Sequence, residues 1–249
     1  MKISIITSVY NNQETIAEAM ESVLSQTYPD IEYIIIDGGS SDNTVDIIKT
    51  YQDRLGAFIS EPDNGIYDGL NKGIKLATGD VIGFLHSDDL YQDNTVIEKV
   101  AQAFINNATD SLYGDLTYVN KINPSKIIRF WQSGEFTLTK LNYGWMPPHP
   151  TFFVRRSIYQ QYGVFDTSFK IAADYDLMLR FLGKFKISTY YIPSVLIKMR
   201  VGGASNKSLK NVLKKSTEDL KAMRNNQMGG WVSLVVKNLS KLGQFVKRA

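Results

Sequence analysis

The stretch Phe84-Leu85-His86-Ser87-Asp88-Asp89 carries a buried-strand pattern straight into two adjacent carboxylates. Val81, Ile82, Phe84 and Leu85 favour a site out of water, whereas Asp88 and Asp89 need water, a cation or hydrogen-bond donors. Acids at the end of a buried strand place hard oxygen ligands at the mouth of a crevice. Mg²⁺ or Mn²⁺ carrying a diphosphate suits such ligands. An Asp-Asp pair also serves in turns and helix caps, so its meaning depends on its neighbours. Three further acids stand at comparable places. Asp37 follows Ile34-Ile35-Ile36, Asp68 lies in Tyr67-Asp68-Gly69-Leu70-Asn71-Lys72-Gly73, and Asp174 lies in Ile171-Ala172-Ala173-Asp174-Tyr175-Asp176-Leu177.

The elements that position these acids are legible as alternating patterns. Strands are predicted at Ile3–Val9, Glu32–Ile36, Ala57–Ser60, Asp80–Leu85 and Ser111–Tyr118. Between the first two, Ile16, Ala19, Met20, Val23 and Leu24 recur at helical spacing, with Asn11 as the expected cap and Glu14 completing a near capping box. Further helices are predicted at Asn43–Tyr51, Tyr67–Ala77 and Asn94–Phe104. Strand-helix repetition of this kind predicts an α/β fold with a parallel sheet covered on both faces. The second half is less regular. Ile127–Trp131, Thr151–Val154, Ile187–Ile192 and Val195–Met199 read as strands, and Arg156–Tyr162, Ala173–Leu182, Leu209–Met223 and Trp231–Val246 as helices, with Gly229-Gly230 separating the last two.

Ligands of an open parallel sheet bind outside the carboxyl ends of its strands. Those ends here read Thr7-Ser8-Val9-Tyr10-Asn11, Asp37-Gly38-Gly39-Ser40-Ser41-Asp42, Glu61-Pro62-Asp63-Asn64-Gly65 and His86-Ser87-Asp88-Asp89. No Gly-x-Gly-x-x-Gly follows the first strand, and no Gly-x-x-x-x-Gly-Lys-Ser/Thr occurs in the chain. Dinucleotide oxidoreductases and P-loop ATPases are therefore disfavoured. A cleft with few glycines and paired acids would hold a diphosphate through a metal rather than through backbone amides.

Composition adds boundaries. The chain has 249 residues, 43% hydrophobic and 21% charged, and no cysteine. Disulfides, thiolate metal sites and a cysteine nucleophile are excluded, and a reducing compartment is expected. The sequence opens Met1-Lys2-Ile3-Ser4-Ile5-Ile6 without a signal-peptide pattern, and no run approaches the roughly 20 apolar residues that span a bilayer. The net charge of +3 hides an asymmetry: residues 207–249 hold 10 Lys and Arg against 2 acids, so the rest is mildly acidic. Nucleic acid is not an expected partner, because the cleft is acidic and the basic residues sit in the tail.

Taken in order, Thr7–Asn11, Ile35–Asp42, Glu61–Asp68, Asn71-Lys72-Gly73 and Ser87-Asp88-Asp89 resemble glycosyltransferase family 2, which has the GT-A fold. The resemblance covers about Met1–Tyr118 closely and continues more loosely to about Gly203. It implies a Rossmann-type sandwich with a mainly parallel central sheet, catalytic over 1–206, followed by a helical extension over 207–249. The donor half would be 1–118 and the acceptor half 119–206. It also implies an inverting transfer from a nucleotide-sugar, most simply UDP-linked, to a hydroxyl of a glycan or lipid-linked acceptor, with Mn²⁺ or Mg²⁺.

Roles follow position by position from that resemblance. Thr7 and Tyr10 would line the nucleoside pocket, Tyr10 either stacking on a base or serving as a rim aromatic. Asp37 would accept a hydrogen bond from uracil or ribose. Asp68 would face the nucleotide or stabilise the start of its helix. Asp89 would be the metal ligand and Asp88 the donor contact, with His86 standing where many relatives have Asn. Asp174 matches the acid of the family's Glu-Asp motif, with Ala173 in place of Glu, and would be the base that deprotonates the acceptor. Asp176, two residues on, is expected to be structural. Trp145, in Gly144-Trp145-Met146-Pro147-Pro148-His149-Pro150, would border the acceptor, and His149 in the same loop would either contact acceptor or phosphate or serve as a structural histidine. Met199–Ser205 would be a flap, from which Arg200 could neutralise diphosphate charge. The tail stripe of Trp231, Leu234, Val235, Leu239, Leu242 and Val246, flanked by Lys237, Lys241, Lys247 and Arg248, fits either a membrane interface or packing on protein. A cytoplasmic location is expected, peripheral at the inner face of the plasma membrane if that stripe meets a bilayer. The rival readings are a sugar nucleotidyltransferase and a non-catalytic glycan- or membrane-binding module.

Overall fold

A computed structural model describes residues 1–202 and 209–243. Among them, nine strands form one sheet in the order β3-β2-β1-β4-β8-β6-β9-β5, with β7 paired to β6. Strands β1 (Ile3–Val9), β2 (Ile31–Asp37), β3 (Ala57–Ser60) and β4 (Val81–Phe84) run parallel. β6 (Ser111–Val119) and β9 (Thr189–Arg200) are also parallel to each other. β8 (Phe153–Arg155) is inserted antiparallel between β4 and β6, β7 (Ile127–Trp131) pairs antiparallel with β6, and β5 (Leu90–Tyr91) pairs antiparallel with β9.

The period-2 alternation of the strands divides the core between two faces. Ile3, Ile5, Val9, Tyr33, Ile35, Val81 and Leu85 pack with α1 (Ile16–Leu24), α2 (Thr44–Lys49) and α4 (Val96–Asn106). Ile6, Ile34, Ile36, Ile82 and Phe84 pack with α3 (Ile66–Leu76), α6 (Arg156–Tyr162) and α7 (Ala173–Met178). α3 lies close on β1 because Gly69 and Gly73 present no side chain there. A methyl group on Gly69 would collide with Ser8 Oγ, and one on Gly73 with Ile6.

The structure departs from the sequence patterns in four places. Asn11 does not cap the first helix. It sits in the left-handed region at φ 46°, and α1 begins only at Ile16. Asn readily takes that conformation, and here its Oδ1 receives the Ser41 amide at 2.8 Å, bridging the β1 and β2 loops. The two strands predicted around residue 193 are one strand, β9. Its register against β6 jumps between Tyr113/Tyr191 and Asp115/Val195, where Pro193 cannot donate to a ladder. The helix predicted over Ala173–Leu182 stops as an α-helix at Met178 and continues as a wider π-type turn, Leu179–Lys184. β5 and α5 (Leu138–Asn142) are too short to show a period.

Helices α8 (Leu209–Asn225) and α9 (Trp231–Gly243) form the tail. Leu220, Ala222, Met223, Met228 and Leu234 are buried in the same core as α3, α6 and α7. The described tail therefore packs on the sheet domain. Leu234 and Lys237 turn inward, while Trp231, Val232, Val235 and Val236 are exposed. Val246, Lys247, Arg248 and the flap residues Gly203–Ser205 lie outside the described residues, as do the side chains of Leu239, Lys241 and Leu242. No helix among the described residues is long and apolar enough to cross a membrane.

Candidate active site

The carboxyl ends of β1, β2 and β4 are cross-tied by their own loop side chains. Asn12 Nδ2 donates to Ser87 Oγ at 2.9 Å, and the Thr15 hydroxyl donates to the Ser87 carbonyl at 3.0 Å. The Asn12 amide donates to Thr44 Oγ1 at 2.8 Å. These bonds give a loop-built rim the stiffness that ligand recognition needs.

Asp37 is fully buried at the end of β2. Its Oδ2 accepts from the amides of Gly39 and Ser40, both at 3.0 Å, and from Ser60 Oγ at 2.8 Å. Its Oδ1 accepts only the Ser40 hydroxyl, a rotor that can turn away. Tyr10 stands 63% exposed beside it at the end of β1. Thr7 differs from its expected place. It is fully buried, donating to the Leu85 carbonyl at 2.7 Å and sharing a hydrogen bond with Tyr33 Oη, so it ties β1 to β4 below the rim. Asp68 accepts the Asn64 amide at 3.0 Å and closes the turn into α3. It also edges a cavity of about 540 Å³ between α3 and α6, lined by Asn71, Lys72, Lys75, Arg156 and Tyr159 among others. That space lies behind the rim and shares only Asp68 with the candidate site. Lys72 is paired to Glu61 at 2.8 Å.

The two adjacent acids separate in environment. Asp88 is partly exposed. Asp89 is 1% exposed and turned toward β9, where Oδ1 accepts the Arg200 amide at 3.1 Å and Oδ2 has no partner among the described residues. Burial, then the Asp88 charge, pushes its carboxyl well above the usual range. As placed, Asp89 is not the open carboxylate expected of a metal ligand. Arg200 likewise is not a mobile cation. Its guanidinium is 2% exposed, donates to the carbonyls of Asp88 at 2.7 Å and Lys121 at 3.0 Å, and pairs with Glu18. The sequence offered no signal for this anchor, since 112 positions separate the Arg from the carbonyl it holds.

Asp174 is partly exposed in the first turn of α7. Its Oδ1 accepts from the Tyr175 amide at 2.8 Å and from Tyr67 Oη at 3.3 Å, and the same hydroxyl donates to the Ile171 carbonyl at 2.7 Å. Two imidazoles lie within reach of the Asp174 charge, and one of them also senses Asp88. His86 and His149 lie with ring centroids 5.9 Å apart, and His149 packs on Phe84 and Phe165, each at 5.6 Å. His86 senses the charges of both Asp88 and Asp174. Burial pushes both histidines down, His149 to about 4, so both are neutral near pH 7. His86 Nδ1 and His149 Nε2 are enclosed without a hydrogen-bond partner among the described residues. Trp145 is half-buried against Tyr113 and Phe136, so it contributes packing to this wall. Asp176 points away and accepts from Asn226.

The donor set admits a divalent ion. Among the described residues no three His, Cys, Asp or Glu side chains cluster as a metal cage. A Mg²⁺ or Mn²⁺ ion that arrives on a diphosphate needs only one or two protein carboxylates. Asp88 supplies one at the rim, and the unpartnered Asp89 Oδ2 lies behind it.

A mixed sheet of this design, with acids at the end of β2 and after β4 and another at the start of α7, has the GT-A-type fold. The model of "Glycosyl transferase family 2" matches residues 4–167, and the chain belongs to that family. The match ends before Asp174. A "PGL/p-HBAD biosynthesis glycosyltransferase" of Mycobacterium bovis is 30% identical over 208 residues, 82% of this chain and 78% of the relative. The S. aureus TarS 1–349 structure in complex with UDP-GlcNAc aligns with a TM-score of 0.73 at 20% identity, covering 91% of this chain and 65% of that one. Against a longer TarS chain the coverage is 43%. The mannosyltransferase PcManGT from Pyrobaculum calidifontis, in complex with GDP-Man and Mn²⁺, aligns at 0.65 and 12% identity over 100% of this chain and 76% of that one.

Proposed function

We propose that this chain is an inverting glycosyltransferase that moves a sugar from a nucleotide-sugar, most simply UDP-linked, to a hydroxyl of a glycan or lipid-linked acceptor. The observation that carries the reading is that His86 senses the charges of both Asp88 and Asp174 and lies beside His149, at the sheet edge where Tyr10 stands exposed after β1 and Asp37 ends β2. Tyr10 offers a face to the base, and Asp37 Oδ1 accepts from base or ribose once Ser40 rotates. Asp88 faces the diphosphate and is the residue that would hold Mn²⁺ or Mg²⁺, while Asp89 braces β9. When bound, that ion supplies the Lewis-acid charge neutralisation the leaving diphosphate needs. Neutral His86 and His149 line the wall between donor sugar and acceptor without adding charge, their unpartnered nitrogens enclosed in the unliganded fold. Asp174, steadied by Tyr67, takes the acceptor proton as the hydroxyl attacks the anomeric carbon from the face opposite the leaving group. One displacement inverts that centre.

The lipid-linked acceptor and a peripheral membrane location are supported by the outward face of α9. Trp231, Val232, Val235 and Val236 stay exposed there, on a tail rich in Lys and Arg. Such a helix lies along a bilayer surface.

The test is UDP or GDP release across a panel of nucleotide-sugars, with and without Mn²⁺, for wild type, Asp88→Asn, Asp89→Asn and Asp174→Asn. Expected are metal-dependent turnover, a loss of about 100-fold or more for Asp88→Asn and Asp174→Asn, and a milder loss for Asp89→Asn, whose amide keeps an acceptor for the Arg200 amide. Full turnover by Asp88→Asn, or inactivation by Asp89→Asn alone, would reject this assignment.

A further inference from the structure

The segment that carries Asp174 is not held by the sheet domain alone. Glu218, on α8, reaches back to three consecutive amides. Its Oε2 accepts from Ile171 at 2.8 Å, Ala172 at 3.0 Å and Lys170 at 3.1 Å, and Oε1 also accepts from Lys170 at 3.1 Å. Ala172 is the N-cap of α7 and has no side chain able to cap it. α7 and the wider turn that continues it run only from Ala173 to Lys184, a length that is marginal for a helix on its own. An N-terminus normally takes a cap from its own Ser, Thr, Asp or Asn. Here α7 has no side-chain cap, and a carboxylate 46 to 48 positions downstream instead holds the N-cap amide and the two amides before it.

Two further ties fix the residues just after Asp174. Asn226 Nδ2 donates to Asp176 Oδ1 at 2.8 Å, both groups being buried. The Lys237 ammonium lies over the Tyr175 ring and pairs with Asp219 at 3.0 Å. On the cleft side, Tyr67 Oη holds the Ile171 carbonyl while Glu218 holds the Ile171 amide. The backbone before Asp174 is thus gripped from both directions, and its carboxylate is left facing the rim.

We propose that Glu218 is a positioning residue for Asp174, and that the tail helices are an integral part of the transfer site through it. This rests on the reading of Asp174 as the base. A carboxylate that fixes, from a separate helix, the three amides leading into α7 sets the distance between Asp174 and an acceptor hydroxyl. A displacement of about 1 Å at such a group reduces turnover by up to about 100-fold without weakening donor binding.

The experiment uses the full chain, with Glu218→Ala, Glu218→Asp and Glu218→Gln beside Asp174→Asn. The readouts are turnover of the nucleotide-sugar that wild type consumes, UDP affinity by calorimetry, Tm, and hydrogen exchange of amides 170–172. For Glu218→Ala and Glu218→Asp, kcat is expected to fall about 10- to 100-fold, with donor KM and UDP Kd within about threefold of wild type and faster exchange at 170–172. Glu218→Gln, which keeps an acceptor in place, is expected to recover most of kcat. If Glu218→Ala fails to fold, the Asp and Gln variants decide. Wild-type kcat in Glu218→Asp overturns the proposal while leaving Asp174 as base if Asp174→Asn is inactive. A parallel fall of kcat, UDP affinity and Tm in all variants also overturns it, because that is loss of the fold. Full activity in Asp174→Asn removes the base reading itself.

Discussion

Arg200 gives the sharpest separation between two accounts of the site. In the structure its fork holds the Asp88 and Lys121 carbonyls and meets Glu18. Arg200→Lys keeps the charge but loses the fork, so at most one of these contacts survives. The Glu18 pair contributes little to the difference, since Glu18 is 59% exposed and screened. The carbonyl bonds matter more, because they are charge-assisted and enclosed. Losing them costs about 2–4 kcal/mol, which in a domain of this size lowers Tm by roughly 5–15 °C. Asp88 would lose its backbone anchor as well, so metal-dependent turnover should fall with stability. Thermal melts with and without UDP and Mn²⁺, run beside the turnover assay, separate the cases. If Arg200 instead swings to the diphosphate, the unliganded Tm stays at wild type and only donor affinity drops. That pattern would refute the anchor.

Two further outcomes follow from burial and exposure. His149 is neutral in the fold, with its pKa pushed down by burial to about 4 from 6.5. Between those values the unfolded chain binds a proton that the folded chain refuses, so this contribution is full above about pH 6.5 and lost as pH falls toward 4. It amounts to at most about 3 kcal/mol. His149→Phe should therefore flatten the stability profile from urea melts between pH 6.5 and 4.5, above the window in which Glu32, lowered to about 2, titrates. An unchanged slope would count against it. Separately, Trp231→Ser with Val235→Ser should abolish flotation with phosphatidylglycerol vesicles while leaving Tm within a few degrees. Equal flotation of the variant and wild type would remove the membrane face.

The strands were legible because buried strands write their own pattern. Ile3–Val9 was expected and found with the same bounds, and the two faces of the sheet follow the alternation of Ile5 with Ile6 and of Ile35 with Ile36. What failed was local chemistry that serves tertiary contacts. Asn11 has the residue type of a cap, but its side chain has a better use in joining two loops. Ile187–Ile192 and Val195–Met199 read as two strands, yet one strand passes Pro193 between them by shifting register. Ala173–Leu182 kept its helical spacing while widening its turn, which no periodicity of side chains reports.

In the site, adjacency misled more than distance did. Asp88 and Asp89 are neighbours of one type, and a tight turn sends one to the rim and the other to the Arg200 amide. Nothing in the pair itself says which is which; the answer lies in an arginine on β9. The two histidines show the converse. Each is an isolated imidazole in the sequence, and each becomes informative only when Phe84 and Phe165 bring His149 beside His86. A buried neutral imidazole with an open nitrogen is costly to keep among aromatic rings unless something recurrently bonds to it. Within reach of the Asp88 and Asp174 charges, the pair supplies hydrogen-bonding capacity without charge. Under the proposed function, that is what a sugar requires between Asp88 at the diphosphate and Asp174 as the base.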